Sequence, residues 1–266
     1  MCARKGIRVT VLGARGSAPV FGREFAVFGG STSCYLVEAG DQSIILDAGS
    51  GLINAPSVFA RPPVILLSHL HADHLIGLGM YGRISMPMAP TTLYVPARDA
   101  REAQRSIARL YSPPLWPLRL TDYPSDLRIE ALPQSMSIGE VHVETMEGSH
   151  PGGSLCIKLG YEQKTVVYAT DFEHGPDAFA RLASFAHNAD LLLYDAQYEG
   201  ERYETFRGYG HSTAEKGVEL MDRCGAKRLL MIHHDPHSTD EALLSRERGI
   251  GRDNVHYARE NEVIVL

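Results

Sequence analysis

Apolar and polar residues alternate from the beginning of the chain. "IRVTVLG", "TSCYLVEAG" and "SIILDAG" each set aliphatic side chains at every second position or in a short run, with Gly or Asp breaking the run. This pattern predicts a meander of antiparallel strands. Further strand-like runs occur at 64–67 and in "TTLYVP", "RIEAL", "VHVETM", "TVVYATD", "LLLYD", "RLLMIHH" and "EVIVL". Between them the period becomes helical. In "DAREAQRSIARLY" the residues Ala100, Ala103, Ile107, Leu110 and Tyr111 share one face. "STAEKGVELMDRCG" opens with a Ser/Thr–Glu capping signature and closes at Gly225. "DAFARLASFAHNA" is a third helix candidate.

Four of the apolar strands run directly into an ionisable residue. "VILLS" leads to His69, "TVVYAT" to Asp171, "LLLY" to Asp195 and "RLLMI" to His233. In sheets covered by helices, ligands gather beyond the carboxyl ends of strands. The four ends are therefore candidates for one shared rim, to which the loop "EGSHPGGS" adds His150. The recurrence of the pattern in both halves of the chain hints at two similar α/β layers packed together.

Composition narrows the class. With 266 residues, 44% hydrophobic and 22% charged, the chain can bury a large core. No low-complexity segment, charge block or Ser/Gly linker divides it, so residues 1–266 are expected to form a single domain. A net charge of −6 argues against a protein that coats nucleic acid, while leaving room for a small anionic substrate drawn in by a metal. "MCARKGIRVTVLG" has no apolar signal core, and no apolar run approaches the roughly 18 residues of a membrane span, so a cytoplasmic location without membrane attachment is expected. Cys2, Cys34, Cys156 and Cys224 are scattered without a CxxC, which fits reduced, structural thiols.

The chemistry is concentrated in "VILLSHLHADHLIGL". His69, His71, Asp73 and His74 fall within six residues at the end of an apolar strand. His-x-His-x-Asp-His on a tight loop supplies donors that can diverge toward two neighbouring metal ions. Imidazole nitrogen and carboxylate oxygen suit zinc first, with manganese or iron as alternatives. A site with open coordination positions can generate hydroxide near neutral pH and stabilise charge on a phosphoryl or acyl oxygen.

"HLHADH", a later "SH" before "PGG", a strand ending in "TD" and a strand ending in His together resemble the metallo-β-lactamase superfamily. The early "GARGS", "GGSTSCYLVEAG" and "ILDAG" segments match in order, so the resemblance covers nearly the whole chain. It implies an α/β fold, a four-layer αββα sandwich with a two-metal site between its sheets. On the same resemblance His69, His71 and His150 hold one metal and Asp73, His74 and His233 the other. Asp171 bridges the two, and Asp47 braces the loop from within.

The segment "GYGHSTAEKGVELMDRCGAKRLLMIHHDP" is similar to the RNase Z-type phosphodiesterase branch. That similarity makes His211 the catalytic histidine and Asp195 its acidic partner. Phosphodiester cleavage needs a nucleophile, charge stabilisation and a proton for the departing oxygen. The expected scheme is attack by a metal-bridged hydroxide oriented by Asp73, with His211 as proton donor. One departure limits the likeness. Bacterial RNase Z carries a long tRNA-gripping arm between the equivalents of His150 and Asp171, where only 20 residues stand here, enough for a hairpin. Small phosphodiesters such as cyclic nucleotides or short oligonucleotides are thus expected in place of tRNA docked in the usual way. An acyl or lactone hydrolase and a non-catalytic nucleotide or metal sensor are the alternatives, and a homodimer is what the resemblance suggests.

Weaker signals complete the reading. Arg98, Arg101, Arg105 and Arg109 lie within about 80° of one another on the helix opposite its apolar stripe. The plain reading is a solvated face with Glu102 as a neighbour, the functional one an anion-steering stripe. His174, Tyr209 and His234 are candidates for substrate contact, and His234 and Asp235 for support of His233.

Overall fold

The early alternation becomes a meander of three antiparallel strands, β1 (Arg4–Gly13), β2 (Cys34–Gly40) and β3 (Gln42–Leu46). The computed structural model describes residues 4–266. Cys2 lies outside the described residues, while Cys34, Cys156 and Cys224 are buried free thiols. Three parallel strands continue the first sheet: β4 (Val64–Leu66), β5 (Pro90–Val95) and β6 (Asp126–Ala131). The second sheet again begins antiparallel, with β7 (Ser135–Ile138), β8 (Val141–Glu147), β9 (Leu155–Tyr161) and β10 (Lys164–Ala169). It ends parallel, with β11 (Leu191–Asp195), β12 (Leu229–Ile232) and β13 (Val255–Tyr257). The last strand, β14 (Val263–Val265), crosses back to pair antiparallel with β1, Val9 facing Ile264. The described residues thus form two sheets of seven strands, ordered β14-β1-β2-β3-β4-β5-β6 and β13-β12-β11-β10-β9-β8-β7.

Strand alternation sorts side chains between layers. Val9, Val11, Ile44, Leu46 and Leu66 of the first sheet meet Val143, Leu159, Val166, Leu193 and Ile232 of the second in the central core. Their neighbours point outward. Leu36, Ile45 and Leu93 pack with Ala103 and Ile107 of α1 (Ala100–Leu110). Val167, Leu192 and Leu229 pack with α2 (Pro176–Phe185), and, once α3 (Gly200–Thr205) is passed, with α4 (Ala214–Cys224) and α5 (Asp240–Ile250). The layers run helix, sheet, sheet, helix, as the αββα expectation required.

Asp99 caps α1 by accepting from the Glu102 N–H, and Gly225 ends α4 in the left-handed region at φ 71°. The α4 cap is Thr213, which accepts from Lys216 N–H, while Ser212 of the capping signature is used elsewhere. The hydrophobic pattern did not reveal β7, β9, β13, α3 or α5. In β9 "LCIKLGY" the run is interrupted by Lys158 and Gly160, and α5 buries only Asp240 and Leu243, too thin a stripe to stand out.

Candidate metal centre

Strand ends of both sheets converge on one rim, and the backbone there is unusual. Asp47 follows β3 at φ 58°, Asp171 lies just past β10 at φ 48°, and His233 follows β12 at φ 59°. Non-glycine residues seldom occupy the left-handed region, and such conformations gather where a site over-determines them. Each turns the chain sharply as it leaves the sheet and aims a side chain between the two sheets.

The loop after β4 divides its donors as the spacing predicts. A short 3-10 turn, Ala72–His74, separates His69 and His71 from Asp73 and His74. His69, His71, His150 and Asp171 form one group, and Asp73, His74 and His233 another. His150 Nε2 is 3.0 Å from His71 Nδ1 and 3.5 Å from Asp171 Oδ2, which is 3.6 Å from His69 Nε2. In the second group His74 Nε2 and His233 Nε2 are 3.3 Å apart, and each is 3.3 Å from Asp73 Oδ2 and 3.1 Å from Asp171 Oδ1. Asp171 therefore offers one oxygen to each group. All of these residues are buried or half-buried except His71.

In three of these histidines the outward ring nitrogen is already committed. His74 Nδ1 meets Asp47 Oδ2 at 2.7 Å, His69 Nδ1 meets Ser68 Oγ at 3.0 Å, and His150 Nδ1 meets Gly210 O at 2.9 Å. Such contacts fix ring orientation and leave the opposite nitrogen for a cation. His69 Nε2 is buried without a hydrogen-bond partner. A nitrogen orphaned in this way, among imidazoles and carboxylates at ligand-to-ligand distances, fits a group that binds divalent metal. Two glycines hold the rings from behind. A Cβ on Gly16 would lie 2.2 Å from His233 Nδ1, and one on Gly210 would lie 2.0 Å from His150 Nδ1.

Charge within the cluster is strongly perturbed. Burial opposes ionisation of Asp171 and Asp73, but the surrounding histidines hold both carboxyls well below the usual range. Burial pushes His69 toward the neutral form that a metal ligand requires. For His74, burial is outweighed by Asp171, Asp73 and Asp47, which favour its proton when no cation competes.

Asp47 gathers four donors. Ser68 N–H at 2.6 Å, Ser68 Oγ at 2.7 Å, His74 Nδ1 at 2.7 Å and Tyr168 OH at 2.6 Å all reach its carboxylate, which is sealed from solvent. This is the bracing position that the resemblance implied. Tyr168 was not anticipated, although it sits at an inward position of β10, where a hydroxyl must find a partner.

Beside both groups stands a carboxylate–imidazole pair. Asp195 Oδ2 lies 2.8 Å from His211 Nδ1, while Asp195 Oδ1 accepts from the backbone N–H of Gln197 and Ser212. The His211 ring stacks on His233 at 4.8 Å and tilts against His150 at 5.2 Å. Burial disfavours its charge, but Asp195, helped by Asp171 and Asp73, raises its pKa to about 9. Asp171, Asp195, His211 and His233 also make a third close grouping, in which Nδ1 of His211 is already taken by Asp195.

The loop leading to His211 is held by Glu173, which the sequence reading did not single out. Its carboxylate accepts from Gly208 N–H at 2.7 Å, Gly210 N–H at 3.0 Å and Tyr203 OH at 3.3 Å. His174 is half-buried, bonds Ser212 Oγ at 2.7 Å and stacks on Tyr203. Ser212 in turn meets Tyr194 OH at 2.7 Å. Tyr209 is 61% exposed, on the loop before His211. His234 is a correction: it is wholly buried between Phe28 and Tyr257, away from any substrate. Asp235 pairs with Arg202 at 2.7 Å and does not reach His233 in any described contact. Alongside His69 lies a cavity of about 390 Å³, bordered by Glu147 and the glycines of "HPGGS".

Comparison with known proteins agrees with this geometry. Residues 42–234 match the model of the "Beta-lactamase superfamily domain". The chain is 25% identical to a Ribonuclease Z of Ignicoccus hospitalis over 278 aligned positions, covering 89% of this chain and 90% of the relative. It is 22% identical to a Bacillus subtilis protein described as "Probable metallo-hydrolase YhfI", covering 97% and 99%. The YhfI crystal structure superposes with a TM-score of 0.73 across 99% of this chain and all of the other, at 20% identity. A diphosphatase from the PhnP family superposes with a TM-score of 0.70 at 15% identity, covering 97% of each chain.

Proposed function

Because the chain belongs to the metallo-β-lactamase superfamily and is a metallo-hydrolase by its site, we propose that it hydrolyses small phosphodiesters. The observation that carries this reading is the His211–Asp195 pair, joined at 2.8 Å, whose imidazole packs against a histidine of each group. Cleavage of a diester, like that of an ester or lactone, expels an alkoxide that needs a proton, and an imidazole held by a buried carboxylate provides it. What favours phosphorus over an acyl carbon is the likeness to relatives named Ribonuclease Z.

In this reading His69, His71 and His150 hold one divalent ion, Asp73, His74 and His233 a second, and Asp171 both. The nitrogen-rich donor set favours zinc, with manganese or iron as alternatives. Two cations held there would stabilise charge on the phosphoryl oxygens and ready a water for attack. Asp73, whose Oδ2 accepts the Ser17 N–H at 2.8 Å, keeps its other oxygen for the attacking water's proton. Asp195 fixes the His211 tautomer so that Nε2 faces the departing oxygen and protonates it. The relatives named for ribonuclease and diphosphatase activity, as those names state, break bonds at phosphorus.

A small substrate is supported by the connection between His150 and Asp171. β9 and β10 form a hairpin whose turn is Glu162 and Gln163, with no projecting arm. The cavity beside His69 lies in the size range of small-molecule sites.

The direct test is hydrolysis of bis(p-nitrophenyl) phosphate, and of a dinucleotide whose leaving group is an unactivated alkoxide, by protein reconstituted with zinc or with manganese, with His211→Ala in parallel. Turnover of both diesters by the parent, with the dinucleotide lost far more than the nitrophenyl ester in a variant of unchanged metal content, supports the proposal. No turnover with both sites filled, together with activity on esters or lactones, would replace it with acyl hydrolysis.

A further inference from the structure

The arginine stripe of α1 does not end in open solvent. Arg101 and Arg105, one helical turn apart, line one wall of a cavity of about 380 Å³, and Arg119 of the following loop lines the other. Its floor is apolar and buried: Ile107, Leu120 and Ile129 belong to the core beneath the first sheet. Arg98, by contrast, is engaged by Glu102 and lies outside the cavity.

Among the described residues Arg101, Arg105 and Arg119 make no hydrogen bond or ion pair, and Glu102 reaches Arg105 only through its field. Three unpaired guanidiniums around one hollow repel each other, on a protein whose net charge is −6. An anion relieves that repulsion. A bare inorganic anion would leave most of the hollow empty, whereas a ligand with a flat body fills it and stacks on the guanidinium planes. The enclosed volume suits one small ligand. A longer polyanion would also meet Glu102 and Asp122, which adjoin the lining residues in sequence.

We propose that this hollow is a second ligand site, separate from the metal centre, that binds a phosphate monoester carrying a flat heterocycle, of the mononucleotide class. Arg101, Arg105 and Arg119 hold the phosphate, with planar two-point contacts of which guanidinium is capable and ammonium is not.

The test is calorimetric titration of the metal-loaded protein with adenosine 5′-monophosphate, adenosine, inorganic phosphate and a single-stranded hexanucleotide. The same titrations are run on R101A/R119A and R101K/R119K. All of these substitutions are at exposed positions, and thermal unfolding checks that each variant is folded. The expected result is a monophosphate site weakened at least about tenfold in R101A/R119A and only partly restored in R101K/R119K. Adenosine and inorganic phosphate should each bind about tenfold or more weaker than the monophosphate. Turnover at the metal centre should be unchanged. Equal monophosphate affinity in R101A/R119A overturns the proposal, and so does adenosine or phosphate binding as well as the monophosphate. A hexanucleotide bound more tightly than the monophosphate through the same arginines would reassign the hollow to nucleic acid.

Discussion

Gly210 leaves His150 no room for a neighbouring side chain. With a Cβ only 2.0 Å from the imidazole and φ at 92°, Gly210→Ala must displace either the loop or the ring. The expected outcome is a metal affinity about 10–100-fold weaker, measured by chelator competition, with the fold retained. His211 permits a separate prediction. With no cation bound, Asp195, Asp171 and Asp73 outweigh burial and raise its pKa to about 9, so it loses its proton as pH rises through that value. Divalent charge nearby can only lower the figure. The alkaline limb of kcat should therefore fall at or below about pH 9, and it should vanish in His211→Ala. Asp195→Asn should lower kcat by about 10²–10⁴-fold at unchanged metal content, because the amide cannot hold the required tautomer. A pH profile of Asp195→Asn identical to the parent would remove Asp195 from proton transfer.

Among the elements, strands position chemistry and helices cover it. Asp47 ties the end of β3 to the β4 loop and to β10 through four donors. Asp47→Ala strands those donors in a dry interior and should cost about 3–5 kcal/mol, read from denaturant unfolding. Thr213→Ala removes only the α4 cap and should cost about 1 kcal/mol, with metal binding intact. The contrast explains what was legible in the chain. His69, His71, Asp73 and His74 fall within six residues, and Asp171, Asp195 and His233 each end an apolar run, so pattern alone exposes them. Glu173 and Tyr168 carry no such mark, because their roles depend on a loop and a strand folding against partners more than 30 residues away. His234 misleads for the opposite reason: adjacent in sequence to His233, it points into the core behind it.

For the whole molecule, the candidate metal centre is where the two sheets meet, with its donors drawn from the segments that follow β4, β8, β10 and β12. Binding of metal should therefore stabilise the entire sandwich. At a free concentration about a thousandfold above Kd the gain is about 4 kcal/mol for each site, so exhaustive chelation should lower the thermal midpoint and abolish turnover together. Turnover that survives chelation would refute the metal scheme. The pairing of β14 with β1 has an effect of another kind. Among the described strands every other pairing joins neighbours in sequence, so this is the strand pairing that obliges the chain to travel the length of the molecule and return. Because the carboxyl end of β14 runs alongside the amino end of β1, a circular permutant opened between β6 and β7, with a short linker leading from β14 into β1, would make each sheet from one uninterrupted stretch. Its contacts would become more local, and it should fold faster than the natural order while building the same rim.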